Sequence, residues 1–321
     1  MKFSIVIPVY KNEDSLQELV EMLNGLVDAL PGSMEVVFVV DGSPDGSFAL
    51  LRDLLPDQEF ASQLLLLSRN FGSFPAITAG LEAATGDYLA VMAADLQEPL
   101  DLPRRFFDEL LRGECDIVLG QRIVRDDPFV SRSLSRLFWW CYKKFVQSEL
   151  PTGGVDVFAC NASVKNRLIA LPESNTSLVG LLLWVGFRRK VIGYARMARP
   201  HGKSAWTSSR RIRYLKDSAF AFSDLPIRLL GLSGLLGIFF ALTFSIIVVV
   251  AKVTDAIAVP GYAAAAILIM FFGGLNSLGI SLVGEYLWRA FENSKGRPRF
   301  IVFESLHYNA VRSPGALART P

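Results

Sequence analysis

The sequence predicts an α/β domain built on a mostly parallel sheet, followed by two helices long enough to cross a membrane. Three observations carry this. Short apolar runs alternate with helical patterns between residues 3 and 120, the order of a βαβ chain with helices on both faces of its sheet. The runs end on polar residues, Tyr10, Asp41, Arg69-Asn70, Asp95 and Arg122, which a parallel sheet brings to one edge. Two uncharged stretches, Leu229 to Ala251 and Ala256 to Val283, come late in the 321-residue chain, and each exceeds the roughly 20 residues that span a bilayer core.

The elements follow in order. Phe3 to Val9 is a β-branched run and the first strand. Asn12-Glu13-Asp14-Ser15 supplies cap and first-turn acids for a helix whose apolar stripe is Leu16, Leu19, Val20, Leu23, Leu26, Val27 and Leu30. Met34 to Val40 is the second strand, and Asp41 to Gly46 is a loop of turn formers. A helix spans about Ser47 to Leu55, a third strand Leu64 to Leu67, and a helix Pro75 to Ala84. Tyr88 to Ala94 is a buried strand that stops at Asp95, before a Pro-started helix. Asp116 to Gly120 is the fifth strand.

The second half changes character. Ser131 to Val146 interleaves Arg132, Arg136, Lys143 and Lys144 with Trp139, Trp140 and Tyr142, a pattern that suits a membrane surface. From Arg188 to Lys216 there are ten Lys/Arg and no acid. Basic residues also follow the second apolar stretch, at Arg289, Lys295, Arg297 and Arg299, while the link between the stretches is nearly uncharged. The positive-inside rule then puts both termini on the cytoplasmic side. The tail reads as an amphipathic helix, a Gly-Arg-Pro break and a β-like segment. This divides the chain into a domain over 1–227, a membrane hairpin over 228–284 and a tail over 285–321. Gly273-Gly274 and Gly279 would let helices pack closely, within the chain or in a homo-oligomer.

Composition excludes several classes. Lys+Arg 33 against Asp+Glu 31 leaves a net charge of only +2, and the basic block adjoins apolar spans without a recognition motif, so nucleic acid is not an expected partner. Cys115, Cys141 and Cys160 have no metal-site spacing and read as packed, reduced thiols. His201 and His307 are isolated. No GxGxxG or GxxxxGK[ST] loop occurs. The opening residues read as a strand, not a signal peptide. Asp95 itself has two readings: a ligand-facing carboxylate at the C-terminal end of a strand, or merely a cap for the next helix.

Seven stretches then match a known pattern: Ser4 to Glu13, Val40-Asp41-Gly42-Ser43-Pro44-Asp45-Gly46, Ser68-Arg69-Asn70-Phe71-Gly72, Ala93-Ala94-Asp95-Leu96-Gln97-Glu98-Pro99, Gly153-Gly154-Val155-Asp156, Gly202-Lys203-Ser204-Ala205-Trp206 and Gly284-Glu285-Tyr286. With them the chain resembles the family 2 (GT-A fold) glycosyltransferases that act on polyprenyl phosphate, the group of dolichyl-phosphate mannose synthase and the undecaprenyl-phosphate glucosyl and aminoarabinose transferases. The resemblance implies transfer of a sugar, with inversion, from a UDP-linked donor to undecaprenyl phosphate at the cytoplasmic face of the plasma membrane. It implies nucleotide contacts from Pro8, Tyr10, Glu13, Asp41 and Asn70. It assigns Asp95 and Gln97 to a divalent cation, Mg²⁺ or Mn²⁺, and Asp156 with Asp95 to catalysis. Arg122, Arg199 and Lys203 would hold the acceptor phosphate, and Arg210, Arg211 and Arg213 lipid headgroups, with Arg196 in the same basic stretch. The chain departs from the family's Asp-x-Asp motif at Ala93. Three readings follow: water or Asp156 fills the gap, donor preference shifts, or the chain is a catalytically silent membrane partner. A different acceptor is a further alternative.

Overall fold

A computed structural model describes residues 1–123, 155, 157–171, 173, 177–197, 220, 223, 225–254 and 261–311. Strand β1 (Lys2–Val9) is the axis of the sheet. It pairs in parallel with β2 (Ser33–Val40) on one side and β4 (Tyr88–Val91) on the other, and β2 pairs in parallel with β3 (Ala61–Leu67). Beyond β4 lies β6 (Phe158–Asn161), antiparallel to both β4 and β5 (Ile117–Arg122). Two reversals make β5 run the same way as β4. Strand β7 (Arg189–Tyr194) is parallel to β5, and β8 (Val302–Tyr308) closes the far edge antiparallel to β3. The order is β7-β5-β6-β4-β1-β2-β3-β8.

The pleat divides the core in two. On one face Phe3, Ile5, Ile7 and Val9 of β1 meet Leu16, Leu19 and Leu23 of α1 (Glu13–Val27) and Phe106 and Phe107 of α4 (Leu102–Leu111). On the other, Val6, Val37 and Val39 meet Ala76, Ala79 and Leu81 of α3 (Ser73–Ala83). Gly80 lets α3 lie directly on the strands: a Cβ there would come 2.3 Å from Cγ1 of Val6. The remaining helices of this part are short: α2 (Ser47–Leu54), α5 (Ala162–Ile169) and α6 (Leu178–Trp184). Helices of this length are marginal alone. Each buried Leu or Phe contributes about 1.5–3 kcal/mol, so packing on the sheet, not helix propensity, holds them.

The structure refines the expected elements. Strand β4 stops at Val91, because neither neighbour pairs with it farther on, and Ala93-Ala94 belong to the turn. Strand β3 begins at Ala61 and β5 runs on to Arg122 alongside β7. Helix α4 starts at Leu102 with Asp101 at its cap position, so Asp95 is not the cap of the helix that follows it. Strands β6 and β7 and helices α5 and α6 had no expected counterpart. Helix α5 is set by Asn161, whose side chain accepts from the Val164 amide (3.0 Å), and α6 by Ser177, which accepts from Gly180 (3.2 Å). The expected surface helix over 131–146 lies outside the described residues. Cys115 and Cys160 are buried free thiols; burial pushes Cys160 up to about 12, so it stays protonated.

Two long helices follow, α7 (Leu225–Val253) and α8 (Tyr262–Ser294). Within them Pro226–Ala251 and Leu268–Ser294 are long and apolar enough to cross a membrane. Their apolar side chains face outward: Phe239 is 62% exposed and Ile280 74%. A helical hairpin buried in a soluble core would not show this, and such faces fit a membrane-associated chain. The two helices touch where glycines allow it, Gly237 beside Phe272 and Gly279 beside Leu230. Gly296 (φ +59°) then turns the chain out of α8, and β8 returns to the sheet.

One buried polar cluster fastens the start of the sheet. Glu35 accepts from Ser4 Oγ (2.6 Å) and from the amide (2.5 Å) and hydroxyl (2.8 Å) of Thr85, and pairs with Lys2 Nζ at 2.6 Å. Burial pushes its carboxyl up, but the bonds from Lys2, Ser4 and Thr85 outweigh this and hold it below its ordinary value. A depressed carboxyl contributes stability that is present above its unfolded pKa and lost as pH falls through the folded one. Wild-type protein should therefore lose thermal stability as pH drops below about 4.3, and Glu35→Gln should lose less over the same window. Melting temperatures between pH 7 and pH 3 check this.

Candidate active site

Because β1, β2, β3 and β4 are parallel, their C-terminal ends share one edge. Pro8 and Tyr10 lie at the end of β1, Asp41 directly after β2, Asn70 in the loop after β3, and Asp95 after β4. Arg122 ends β5 on the same edge, in register with Tyr194 of β7.

The loops are locked to one another. The Lys11 amide donates to Ser43 Oγ (2.8 Å), and Ser43 donates to Asp45 (2.6 Å). The Glu13 carboxylate accepts from the Gly46 amide (2.7 Å) while its own amide donates to Asp45 (3.3 Å). Burial raises the Asp45 carboxyl, but hydrogen bonds from Ser43, Ser47 and the Glu13 amide outweigh it and hold the group low. Gly42 (φ +54°) lies so close to the next loop that a Cβ would come 2.3 Å from the Arg69 carbonyl carbon. Asp41 is buried, and its two oxygens accept from the amides of Phe71 (2.7 Å) and Gly72 (2.8 Å). The Gly72 amide belongs to the cap position of α3, and Phe71 is the residue before it. Asp41 thus fixes the loop that carries Asn70, and the Arg69 guanidinium lies 4.0 Å over the Phe71 ring.

The turn after β4 is held from below. Met92 donates to the Val6 carbonyl (3.0 Å), and the buried Ser15 hydroxyl donates to the Ala94 carbonyl (2.7 Å). Leu96 is left-handed (φ +57°), a conformation that costs a branched residue about 1–2 kcal/mol. Asp95 and Gln97 flank it, 8% and 9% exposed. The chain leaving β7 meets this turn. Met197 N donates to the Gln97 carbonyl (2.9 Å), and Gln97 Nε2 donates to the Met197 carbonyl (3.2 Å). Arg196 donates through Nη2 to Gln97 Oε1, and the same nitrogen is 3.8 Å from Asp95 Oδ2. Asp95 and Gln97 therefore present oxygen atoms to one cation, here a guanidinium.

That donor set tests the expected metal. Among the described residues no three His, Cys, Asp or Glu side chains come together. Mg²⁺ typically takes one or two carboxylates together with substrate phosphates, in place of an all-protein cage. One buried carboxylate and an amide oxygen that face a positive charge are the kind of sparse donor set that a divalent cation can share with a phosphate ligand. Asp156, Arg199 and Lys203 lie outside the described residues. Ser15 and Arg196 shape the turn without having been assigned to it from sequence, and the left-handed backbone of Leu96 had no signal in the matched stretch. The serine carried only a helix-start signal, and Arg196 stood in a basic block whose other members were the candidates.

The family model for glycosyl transferase family 2 matches residues 4–170. CsbB of Bacillus subtilis (strain 168), classed by name among the glycosyltransferases, is 31% identical over 94% of this chain and 91% of its own. The bactoprenol glucosyl transferase of Shigella phage SfX is 28% identical over 94% of this chain and 99% of its own. A solved glucosyl-3-phosphoglycerate synthase from Mycobacterium tuberculosis, in complex with Mn²⁺, UDP-glucose and phosphoglyceric acid, is 16% identical with a TM-score of 0.45, covering 68% of this chain and 80% of that one.

Removing the Asp41 carboxylate leaves the amides of Phe71 and Gly72 without these acceptors. Asp41→Ala should cost about 1.5–3 kcal/mol and speed hydrogen exchange at those two amides. Thermal melts and exchange mass spectrometry measure both. Unchanged exchange in the 69–72 loop would mean that Asp41 does not hold it.

Proposed function

The chain belongs to glycosyl transferase family 2, and from that premise we propose that it moves a sugar from a UDP-linked donor to a polyprenyl phosphate at the cytoplasmic face of the plasma membrane. The observation that carries the reading is the paired Asp95 and Gln97 at the sheet edge, in a chain that also has two exposed apolar helices. A relative named as a bactoprenol glucosyl transferase supports a lipid acceptor.

In this reading residues 1–227 form the catalytic domain, 228–284 a two-span hairpin and 285–321 a cytoplasmic tail. Pro8, Tyr10, Glu13, Asp41 and Asn70 would contact the nucleotide, from loops that Asp41 and Asp45 also hold in place. An oxygen of the lipid phosphate attacks the anomeric carbon. The new carbon–oxygen bond forms as the bond to the nucleoside diphosphate breaks, which inverts the centre. A phosphate is already anionic near pH 7, so Asp156 serves by orienting the acceptor, without obligatory proton removal. Arg199 and Lys203 grip that phosphate, Arg as a fork and Lys as a point charge, and Arg122 faces the same region from the end of β5. Asp95 and Gln97 would hold Mg²⁺ or Mn²⁺, which when bound neutralises charge developing on the diphosphate.

Membranes carrying the protein should convert labelled UDP-sugar, undecaprenyl phosphate and Mg²⁺ or Mn²⁺ into a labelled lipid. Asp95→Ala should lower the rate on the order of 100-fold or more. No labelled lipid with any common donor, while a related transferase works in parallel, would favour the silent-partner reading that Ala93 suggests.

A further inference from the structure

The contact at the sheet edge has a consequence for cation binding. Arg196 Nη2 bonds Gln97 Oε1 and lies 3.8 Å from Asp95 Oδ2, with the arginine side chain 26% exposed and the aspartate 10%. The guanidinium is fixed there by its backbone. Residue 196 follows β7, and its neighbour Met197 is joined to Gln97 by two further hydrogen bonds. The two oxygens that would ligate a divalent cation are thus the two that face Arg196. A guanidinium bonded to Gln97 Oε1 and 3.8 Å from Asp95 Oδ2 would repel a divalent ion drawn to the same two atoms in this half-buried place.

We infer that Arg196 competes with the divalent cation for Asp95 and Gln97, so that the cation binds well only together with the donor's diphosphate. The inference rests on the donor and cation reading given above. As the cation takes Asp95 and Gln97, Arg196 needs another anion. A diphosphate at the same edge provides one, with oxygens spaced for a bidentate guanidinium contact. Nucleotide and cation then bind cooperatively. The coupling is reciprocal: whatever factor UDP adds to cation affinity, the cation adds to UDP affinity. Arg196 is a positioning residue here, and it gives the one-carboxylate motif a resident counter-charge that keeps Asp95 and Gln97 in place before the donor arrives.

The test is a Mn²⁺ titration of the full chain in detergent, reading free Mn²⁺ by its paramagnetic resonance signal, with and without UDP. It compares wild type, Arg196→Met, Arg196→Gln, Arg196→Lys and Asp95→Ala. Without UDP the Met and Gln variants should bind Mn²⁺ roughly tenfold more tightly than wild type, within the range usual for coupled sites. Arg196→Lys, which keeps the charge, should stay close to wild type, and Asp95→Ala should bind poorly throughout. UDP should tighten Mn²⁺ binding more in wild type than in the neutral variants. If wild type binds Mn²⁺ with UDP but neither neutral variant gains affinity without it, the competition is wrong while the cation reading stands. If no variant binds Mn²⁺ even with UDP, the cation reading fails and the competition falls with it.

Discussion

The parallel pairing of β1 with β2 and β4 governs everything that matters for this site. Parallel strands finish at the same edge, so the loops after them must meet there. Each loop is then tied to its neighbour by a bond that no loop could make alone. Asp41 holds the amides of the third loop, Glu13 holds Gly46, and Ser15 holds the carbonyl before Asp95. The edge is stiffened by these bonds before any substrate arrives. The left-handed Leu96 is a conformational cost that this support sustains.

Charge at that edge follows from the second half of the sheet. Strand β6 is antiparallel to both β4 and β5, so β5 and β7 run with β4 and deliver Arg122 and Arg196 to the same side as Asp95. A basic chain segment thus leaves the sheet where the buried carboxylate sits, and it continues toward the stretch holding Arg199 and Lys203.

Much of this was legible in the sequence. The strands β1 to β5, the helices between them and the two apolar helices stand on strong periodicity and length, signals that local residues carry. The Gly-Arg-Pro break likewise matches the turn at Gly296. What escaped is what depends on partners distant in the chain. Strand β6 is four residues long and gains its identity from lying between β4 and β5. Strand β7 starts with Arg189 and Lys190, so it read as part of the basic block while its pairing with β5 was invisible. Arg196 was one arginine among ten basic residues in its block, and no spacing rule separates the one that reaches Asp95 across the sheet from its neighbours. Asp41 shows the converse. Its position at a strand end was readable, but its hold on the Phe71 and Gly72 amides was not.

In the proposed function, the sheet edge carrying Asp95 holds the donor's diphosphate together with a divalent cation. Crystals of the protein grown with UDP and Mn²⁺, measured at the manganese absorption edge, test it most directly. An anomalous peak should appear at coordinating distance from the Asp95 carboxylate, with the diphosphate on its other side and Arg196 moved off Gln97 onto a phosphate oxygen. A manganese peak or a UDP molecule bound away from the edge formed by β1, β2 and β4 would contradict it.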